Sequence, residues 1–176
     1  MKLRYLAGYS APLLALCRRL RSLLLNDDVG VVKVLIYHNI SGDKFALFRR
    51  QIQYLASAYQ FLTPLQFEEF VYGRYRISGI NLLITFDDGF KSNRIVAEKI
   101  LNPLGIKGIF FVHTEFIALQ DTNKQNEFIT QKIFDGDAHN PEILPDMQPL
   151  TWEDLECLLA QGHIIGSHSR NHKRLS

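Results

Sequence analysis

The hydrophobic positions of this 176-residue chain follow two alternating spacings. Short apolar runs rich in β-branched and aromatic residues predict strands at residues 29–40, 60–63, 79–86, 106–113 and 163–169. Apolar residues three and four positions apart predict helices at residues 45–59, 64–73, 91–105 and 152–161. Strands that alternate with helices predict an α/β domain with a largely parallel sheet.

Polar residues mark where two of these helices begin. Thr63 stands before Pro64 and three residues before Gln66, which predicts a capping box. Thr151 occupies the same position before the helix at residues 152–161. Residues 118–149 have no clear period and mix polar residues with Gly and Pro, so we predict a long loop of the kind that frames a site.

The first 28 residues differ from the rest in charge. They contain five basic residues before the first acid, Asp27, and leucines at helical spacing. We therefore divide the chain into a basic amphipathic helix at 1–28 and an α/β domain portion at 29–176. The helix either packs on the domain surface, which we favour, or makes a peripheral membrane contact. A signal peptide is disfavoured by Pro12 and by the arginines that follow, and the apolar run is too short to span a bilayer. These features favour a cytoplasmic or membrane-peripheral location.

Composition excludes some partners without identifying one. Hydrophobic residues make up 47% of the chain and charged residues 22%, as in ordinary globular proteins. The formal net charge is only +2, which gives no reason to expect nucleic acid as a partner.

Two carboxylates follow the apolar strand in "LLITFDDGF". Adjacent carboxylates repel each other, and a buried unpaired charge is costly, so Asp87 and Asp88 need a compensating cation. Gly89 permits a sharp turn there, and α/β folds place sites at the carboxyl ends of parallel strands. Ordinary turn chemistry explains the Asp-Asp-Gly sequence equally well when it is taken alone.

Two histidines follow a later strand in "GSHSRNH". His168 and His172 are four residues apart, a spacing at which two imidazoles can bind one ion. One carboxylate and two imidazoles form the three-ligand set of a catalytic metal site, and these donors suit Zn²⁺ best. Solvated histidines in a basic tail are the alternative.

Together, "LLITFDDGF" and "GSHSRNH" resemble the first two motifs of the NodB-type polysaccharide deacetylases, carbohydrate esterase family 4. "VLIYHNI", "LNPLGIKGIFFV" and "LTWEDLECLLAQGHIIGSHS" are also similar to that family, so the likeness runs over roughly residues 29–176. The resemblance implies a distorted (β/α) barrel and metal-dependent hydrolysis of the N-acetyl group of an N-acetylated glycan.

The resemblance also assigns residue roles. Asp88, His168 and His172 would bind the divalent metal, and Asp87 would be the general base. Ser169 would orient the loop or a histidine ligand. His38, at the end of the first strand, is a candidate pocket-wall residue, although we favour its being only part of the strand signature. His113 is interpreted as a loop histidine, and nothing in the sequence favours His163 as a site residue.

The later family motifs, including the histidine that serves as general acid, do not occur in this sequence. We therefore expect an incomplete barrel, because the chain ends after the second motif, and little activity from this chain alone. Two alternatives remain open. One is a remnant that binds metal or carbohydrate without catalysis, and the other is an amidase of the same fold that acts on a non-sugar amide.

Overall fold

The computed structural model describes residues 30–136 and 143–173. The helix predicted at residues 1–28 lies outside these ranges. Across the part that is described, no helix combines the length and the apolar character needed to cross a bilayer.

Helices and strands alternate along the described chain. The strands are β1 Val31–Tyr37, β2 Gln60–Phe61, β3 Ile80–Phe86, β4 Ile109–Val112 and β5 Ile164–Ser167. The α-helices are α1 Phe45–Ala58, α2 Pro64–Val71, α3 Lys91–Val96, α4 Thr114–Ala118, α5 Thr122–Phe128 and α6 Trp152–Ala160. Two of them continue as π-helical turns, α3 through Ala97–Leu101 and α5 through Ile129–Ile133. Short 3₁₀ turns lie at Gly42–Lys44, Asn102–Leu104 and Pro145–Met147.

All strand pairings among the described residues are parallel, which confirms the predicted α/β class. The sheet order is β1-β3-β4-β5, and the short β2 pairs with the beginning of β3. Leu35 of β1 lies beside Ile84 of β3, and Ile109 of β4 lies beside Ile164 of β5. Parallel strands end at the same edge of a sheet, so the residues after β3, β4 and β5 are neighbours. The described strands form an open sheet and do not close into a barrel.

The two faces of this sheet differ in burial. The first face packs under the helices and forms the main core, with Ile84, Phe86 and Phe110 at 0% exposure. The second face is buried at β3, where Leu83 and Thr85 are 2% and 4% exposed, but open at β1. Val34 and Ile36 on that face are 46% and 60% exposed. The open face forms the wall of a groove of about 400 Å³.

Both predicted helix starts are confirmed. The Thr63 side chain accepts a hydrogen bond from the Gln66 N–H, and Gln66 returns one to the Thr63 backbone. Thr151 and Asp154 form the same reciprocal pair at the beginning of α6. Each pair satisfies two backbone N–H groups that a helix start leaves without partners.

The loop predicted at residues 118–149 is partly wrong, because α5 and its π-helical turn occupy residues 122–133. Asp121 caps α5 by accepting a hydrogen bond from the Lys124 N–H. Phe128 and Ile129 anchor the helix in a second apolar cluster with Phe90 and Phe116. The first two turns of α5 are mostly polar, so the helical period did not stand out in the sequence.

Candidate metal centre

The first part of the site is the turn that ends β3. The Asp87 N–H still donates to the Tyr37 carbonyl oxygen of β1 over 2.8 Å, so Asp87 keeps its place in the sheet. Asp88 and Gly89 then take left-handed φ angles of 71° and 74°. A β-carbon on Gly89 would lie 3.1 Å from Val112 Cγ1, so the turn also packs tightly against β4. The reversal gives the two carboxylates different environments: Asp88 is buried at 2% exposure and Asp87 is half-buried.

The second part is the turn that follows β5. The His168 N–H donates to the Val112 carbonyl oxygen over 2.9 Å, which fixes this turn to the end of β4. Ser169 and His172 have φ angles of 67° and 58°. Non-glycine residues rarely adopt such angles, and strain of this kind concentrates at functional sites. The Ser169 hydroxyl accepts a hydrogen bond from the His172 N–H over 3.1 Å, so it supports this bent backbone.

Four side chains converge where these turns meet. One ligand atom from each of Asp88, His113, His168 and His172 lies within 4.8 Å of the other three. Asp88 Oδ1 is 3.4 Å from His113 Nε2 and 3.6 Å from His168 Nε2. The structure therefore brings together the three residues that the sequence resemblance selected as metal ligands, and it adds His113.

His113 was missed as a site residue because its sequence context is that of a loop. It follows β4 directly, and β4 lies between β3 and β5 in the sheet. A histidine at the end of the strand between two ligand-bearing strands is placed to face the same site. The sequence therefore showed that His113 follows a strand. Only the order of the strands in the sheet shows that this strand end faces the site.

The donor set fits a divalent cation. One carboxylate and three imidazoles are donors that Zn²⁺ accepts. His172 Nδ1 contacts the Lys132 carbonyl oxygen at 2.6 Å, so Nδ1–H donates and Nε2 remains for an ion. Such outer hydrogen bonds regularly orient histidine ligands. Burial lowers the pKa of His168, and the Asp87 charge opposes this only in part, so the neutral ring that a metal needs is favoured.

The remaining predicted residues lie around this cluster. Asp87 and His168 line the groove on the open face of the sheet. His38 is exposed and lines a second groove of about 420 Å³ together with Asp88 and His172. Both grooves fall within the size range of small-ligand pockets.

His163 lies away from the cluster and has a structural environment. The Gly108 N–H donates to His163 Nδ1 over 3.0 Å, which places the ring proton on Nε2, facing Asn102 Oδ1 at 3.1 Å. The ring is 1% exposed and packs edge-on against Phe110. His163 thus holds the beginning of β4 against the beginning of β5.

The fold and the site together define an α/β protein with a carboxylate–imidazole cluster at the carboxyl edge of a parallel sheet. Residues 77–176 match the polysaccharide deacetylase family, and the chain belongs to that family. This confirms the resemblance inferred from the two motifs. No curated protein matches the chain in sequence.

Solved structures with the same fold include several deacetylases. IcaB from Ammonifex degensii is 23% identical with a TM-score of 0.58, over 80% of this chain and 53% of IcaB. The Streptococcus pyogenes deacetylase PplD, solved in complex with acetate, is 18% identical with a TM-score of 0.56, over 81% and 57%. A de-N-acetylase from Aggregatibacter actinomycetemcomitans is 18% identical with a TM-score of 0.57, over 80% and 55%. This chain therefore spans little more than half the length of each of these structures.

Proposed function

We propose that this protein hydrolyses the N-acetyl group of an N-acetylated glycan. The observation that carries the proposal is the convergence of Asp88, His168 and His172 beside a separate, accessible carboxylate, Asp87. Membership of the polysaccharide deacetylase family supports the reaction class. The names of the similar structures, two of them called deacetylases or de-N-acetylases, support the same class.

In this proposal, Asp88, His168 and His172 hold a divalent cation, and their donor atoms suit Zn²⁺ best. When bound, the cation would polarise the acetamide carbonyl and lower the pKa of a water molecule towards ~7. Asp88 is the better ligand of the two carboxylates because it is buried among imidazoles, where a cation offsets its desolvation.

Asp87 is the proposed general base. It lines the groove on the open face together with His168, and it stays partly accessible to solvent. It takes the proton of the attacking water as the oxygen adds to the carbonyl carbon. The sugar nitrogen then takes up the proton that Asp87 accepted, the C–N bond breaks, and acetate and the free amine are released.

Ser169 and Lys132 position the histidines in this proposal. The Ser169 hydroxyl holds the His172 backbone, and the Lys132 carbonyl oxygen accepts from the His172 ring. Both contacts reduce the freedom of His172 before any ligand arrives, which lowers the entropic cost of binding. His38, at the second groove, would contact the glycan.

The test measures acetate release from an N-acetylated chito-oligosaccharide, with Zn²⁺ present and after treatment with a chelator. We expect slow release, in keeping with the little activity expected of this chain alone, that the chelator abolishes and that added Zn²⁺ restores. Release that the chelator leaves unchanged would contradict the proposal that hydrolysis depends on a bound metal ion. Bound Zn²⁺ without any acetate release would instead favour a metal-binding protein with no deacetylase activity.

The base is tested with Asp87→Asn, which keeps the shape of the side chain but removes its basicity. Loss of a general base costs ~10²–10⁴-fold, so acetate release should fall by that factor while Zn²⁺ stoichiometry stays unchanged. Glu156→Gln, an exposed residue of α6, is the matched control and should have the wild-type rate. A rate within twofold of wild type for Asp87→Asn would exclude this residue as the base.

A further inference from the structure

We propose that His113 is a fourth protein ligand of this metal centre, in addition to Asp88, His168 and His172. The inference rests on the proposed function, because it concerns the same cation. It alters the chemistry of the site, because three protein ligands leave a coordination position open and four close a tetrahedron.

The distances around Asp88 support this proposal. Oδ1 lies 3.4 Å from His113 Nε2 and 3.6 Å from His168 Nε2. Both exceed the ~2.9 Å of an ordinary N–H···O hydrogen bond. They are close to the ~3.3 Å edge of a tetrahedron with metal–ligand bonds of ~2.0 Å. Asp88 Oδ1 thus lies at a ligand–ligand distance from both rings, and its contact with His113 Nε2 is at most a long hydrogen bond.

The second ring nitrogen of His113 supports the same conclusion. Nδ1 faces the Ser169 carbonyl oxygen at 3.4 Å, and a carbonyl can only accept. With the proton on Nδ1, the Nε2 lone pair faces the Asp88 carboxylate, and two acceptors then meet in a buried place. A cation between them removes this conflict. His172 has the same arrangement, with Nδ1 on the Lys132 carbonyl oxygen.

Burial also distinguishes His113 from a solvated loop residue. Its side chain is 0% exposed, and its ring centre is 4.7 Å from that of His168 and 4.9 Å from that of His172. Phe128 packs on the ring at 5.9 Å and helps fix its orientation. A buried polar ring needs partners for both nitrogens, and an ion is the partner that this cluster offers to Nε2.

A closed set of four ligands has a consequence for the reaction. With four protein ligands in place, water or an acetamide oxygen would reach the cation only as an additional ligand, or in place of His113. His113 would then favour tight retention of the metal over open access. The number of imidazole ligands and the release of acetate are measured separately. An experiment can therefore contradict the fourth ligand without contradicting the deacetylase function.

Zinc K-edge X-ray absorption on the Zn²⁺-loaded protein counts the imidazoles directly. We expect three imidazoles and one carboxylate in the wild type, and two imidazoles in His113→Gln. The Zn²⁺ affinity of His113→Gln should fall by more than ~100-fold, beyond the ~10–100-fold typical of residues that only orient a ligand. Two imidazoles in both proteins would overturn the proposal, yet would leave the deacetylase function standing if acetate release persists.

His113→Cys is a second variant that tests the position without depending on affinity. A thiolate at a ligand position adds a zinc–sulfur distance of ~2.3 Å to the absorption spectrum. The matched control is His163→Cys, which places a thiol at a buried histidine outside the cluster. We expect the sulfur signal from His113→Cys alone, with Cys17 and Cys157 replaced by serine in both. Absence of sulfur at the zinc of a folded His113→Cys protein would overturn the proposal.

Discussion

Two buried histidines of this chain have opposite roles at the scale of single residues. His113 has its ring among the candidate metal ligands, whereas His163 has both nitrogens in hydrogen bonds with a backbone N–H and an asparagine. Neither is exposed by more than 1%. Burial alone therefore does not mark a site residue, and the identity of the partners does.

His163 should make the stability of the protein depend on pH. Burial, together with the nearby Lys107 charge, lowers its pKa to about 4. The unfolded chain has a histidine pKa of ~6.5 and binds the proton first. The stabilising contribution is complete above pH ~6.5 and is lost as the pH falls towards about 4, at ~1.4 kcal/mol per pH unit.

The measurement compares wild type with His163→Asn by urea unfolding at several pH values. Asn keeps an acceptor near the Gly108 N–H but does not titrate in this range. Between pH ~6.5 and ~5, the free energy of unfolding of the wild type should therefore fall by about 2 kcal/mol more than that of the variant. If the free energy of unfolding of the two proteins changes equally with pH, His163 is not the group responsible for the pH dependence.

At the scale of elements, Asp154 connects two helices that flank the site. It caps α6 through the Thr151 N–H, and it pairs with Arg94 of α3 and with Lys91 at 3.3 Å. Burial by itself raises the pKa of Asp154, but the hydrogen bond with the Thr151 backbone and the Arg94 partner outweigh it and the pKa is lowered. The carboxylate therefore stabilises the fold above its unfolded pKa of 3.8, and this contribution is lost as the pH falls through its folded pKa.

Asp154→Asn should lower the free energy of unfolding by about 2 kcal/mol at pH 7, less than for a fully buried pair because both cations are partly exposed. The loss should diminish as the pH falls below 3.8, where the unfolded wild-type chain binds the proton first, and should vanish below the lowered pKa of the folded protein. Glu156→Gln, exposed on the same helix, should have the wild-type value. Chemical unfolding at both pH values measures these differences, and equal stability of Asp154→Asn and wild type at pH 7 would refute the role of the pair.

Much of the element order could be predicted from the sequence, and the errors have a physical cause. The β-branched runs, the two capping boxes and Gly105, with a φ of 69° at the end of its helix, are local signals, and they lie where the sequence placed them. Helix α5 was missed because its stability depends on burying Phe128 and Ile129 against Phe90 and Phe116. That burial is a tertiary effect, which a polar helix sequence does not reveal.

At the scale of the whole molecule, the sheet has one closed face and one open face. Ile84 lies in the core under the helices at 0% exposure, and Ile36, one strand away on the other face, is 60% exposed. The open face carries Asp87 and the groove beside His168. In the described part of the chain, Asp87 and His168 are thus reached from the open face, whereas Asp88 and His172 line the second groove.

The same substitution at these two positions tests the difference between the faces. Ile84→Ala should lower the free energy of unfolding by ~2–5 kcal/mol, because it leaves a cavity in the core. Ile36→Ala should cost less than ~1 kcal/mol, because little burial is lost on the open face and mainly strand propensity changes. Thermal and urea unfolding measure both variants. A cost for Ile36→Ala as large as that for Ile84→Ala would show that something covers this face in solution.

The sequence by itself determined the parallel α/β class, the strand ends that carry polar residues, and a family resemblance that singled out Asp87, Asp88, His168 and His172. These properties are local, because they depend on spacing, turn residues and motif order along the chain. Only the tertiary structure decided that β4 lies between β3 and β5, and that the turns bend at left-handed Asp88, Ser169 and His172. Strand order and turn direction determine which side chains meet at the sheet edge. For that reason His113 entered the candidate centre only in the folded molecule, while His163 was placed in a structural role.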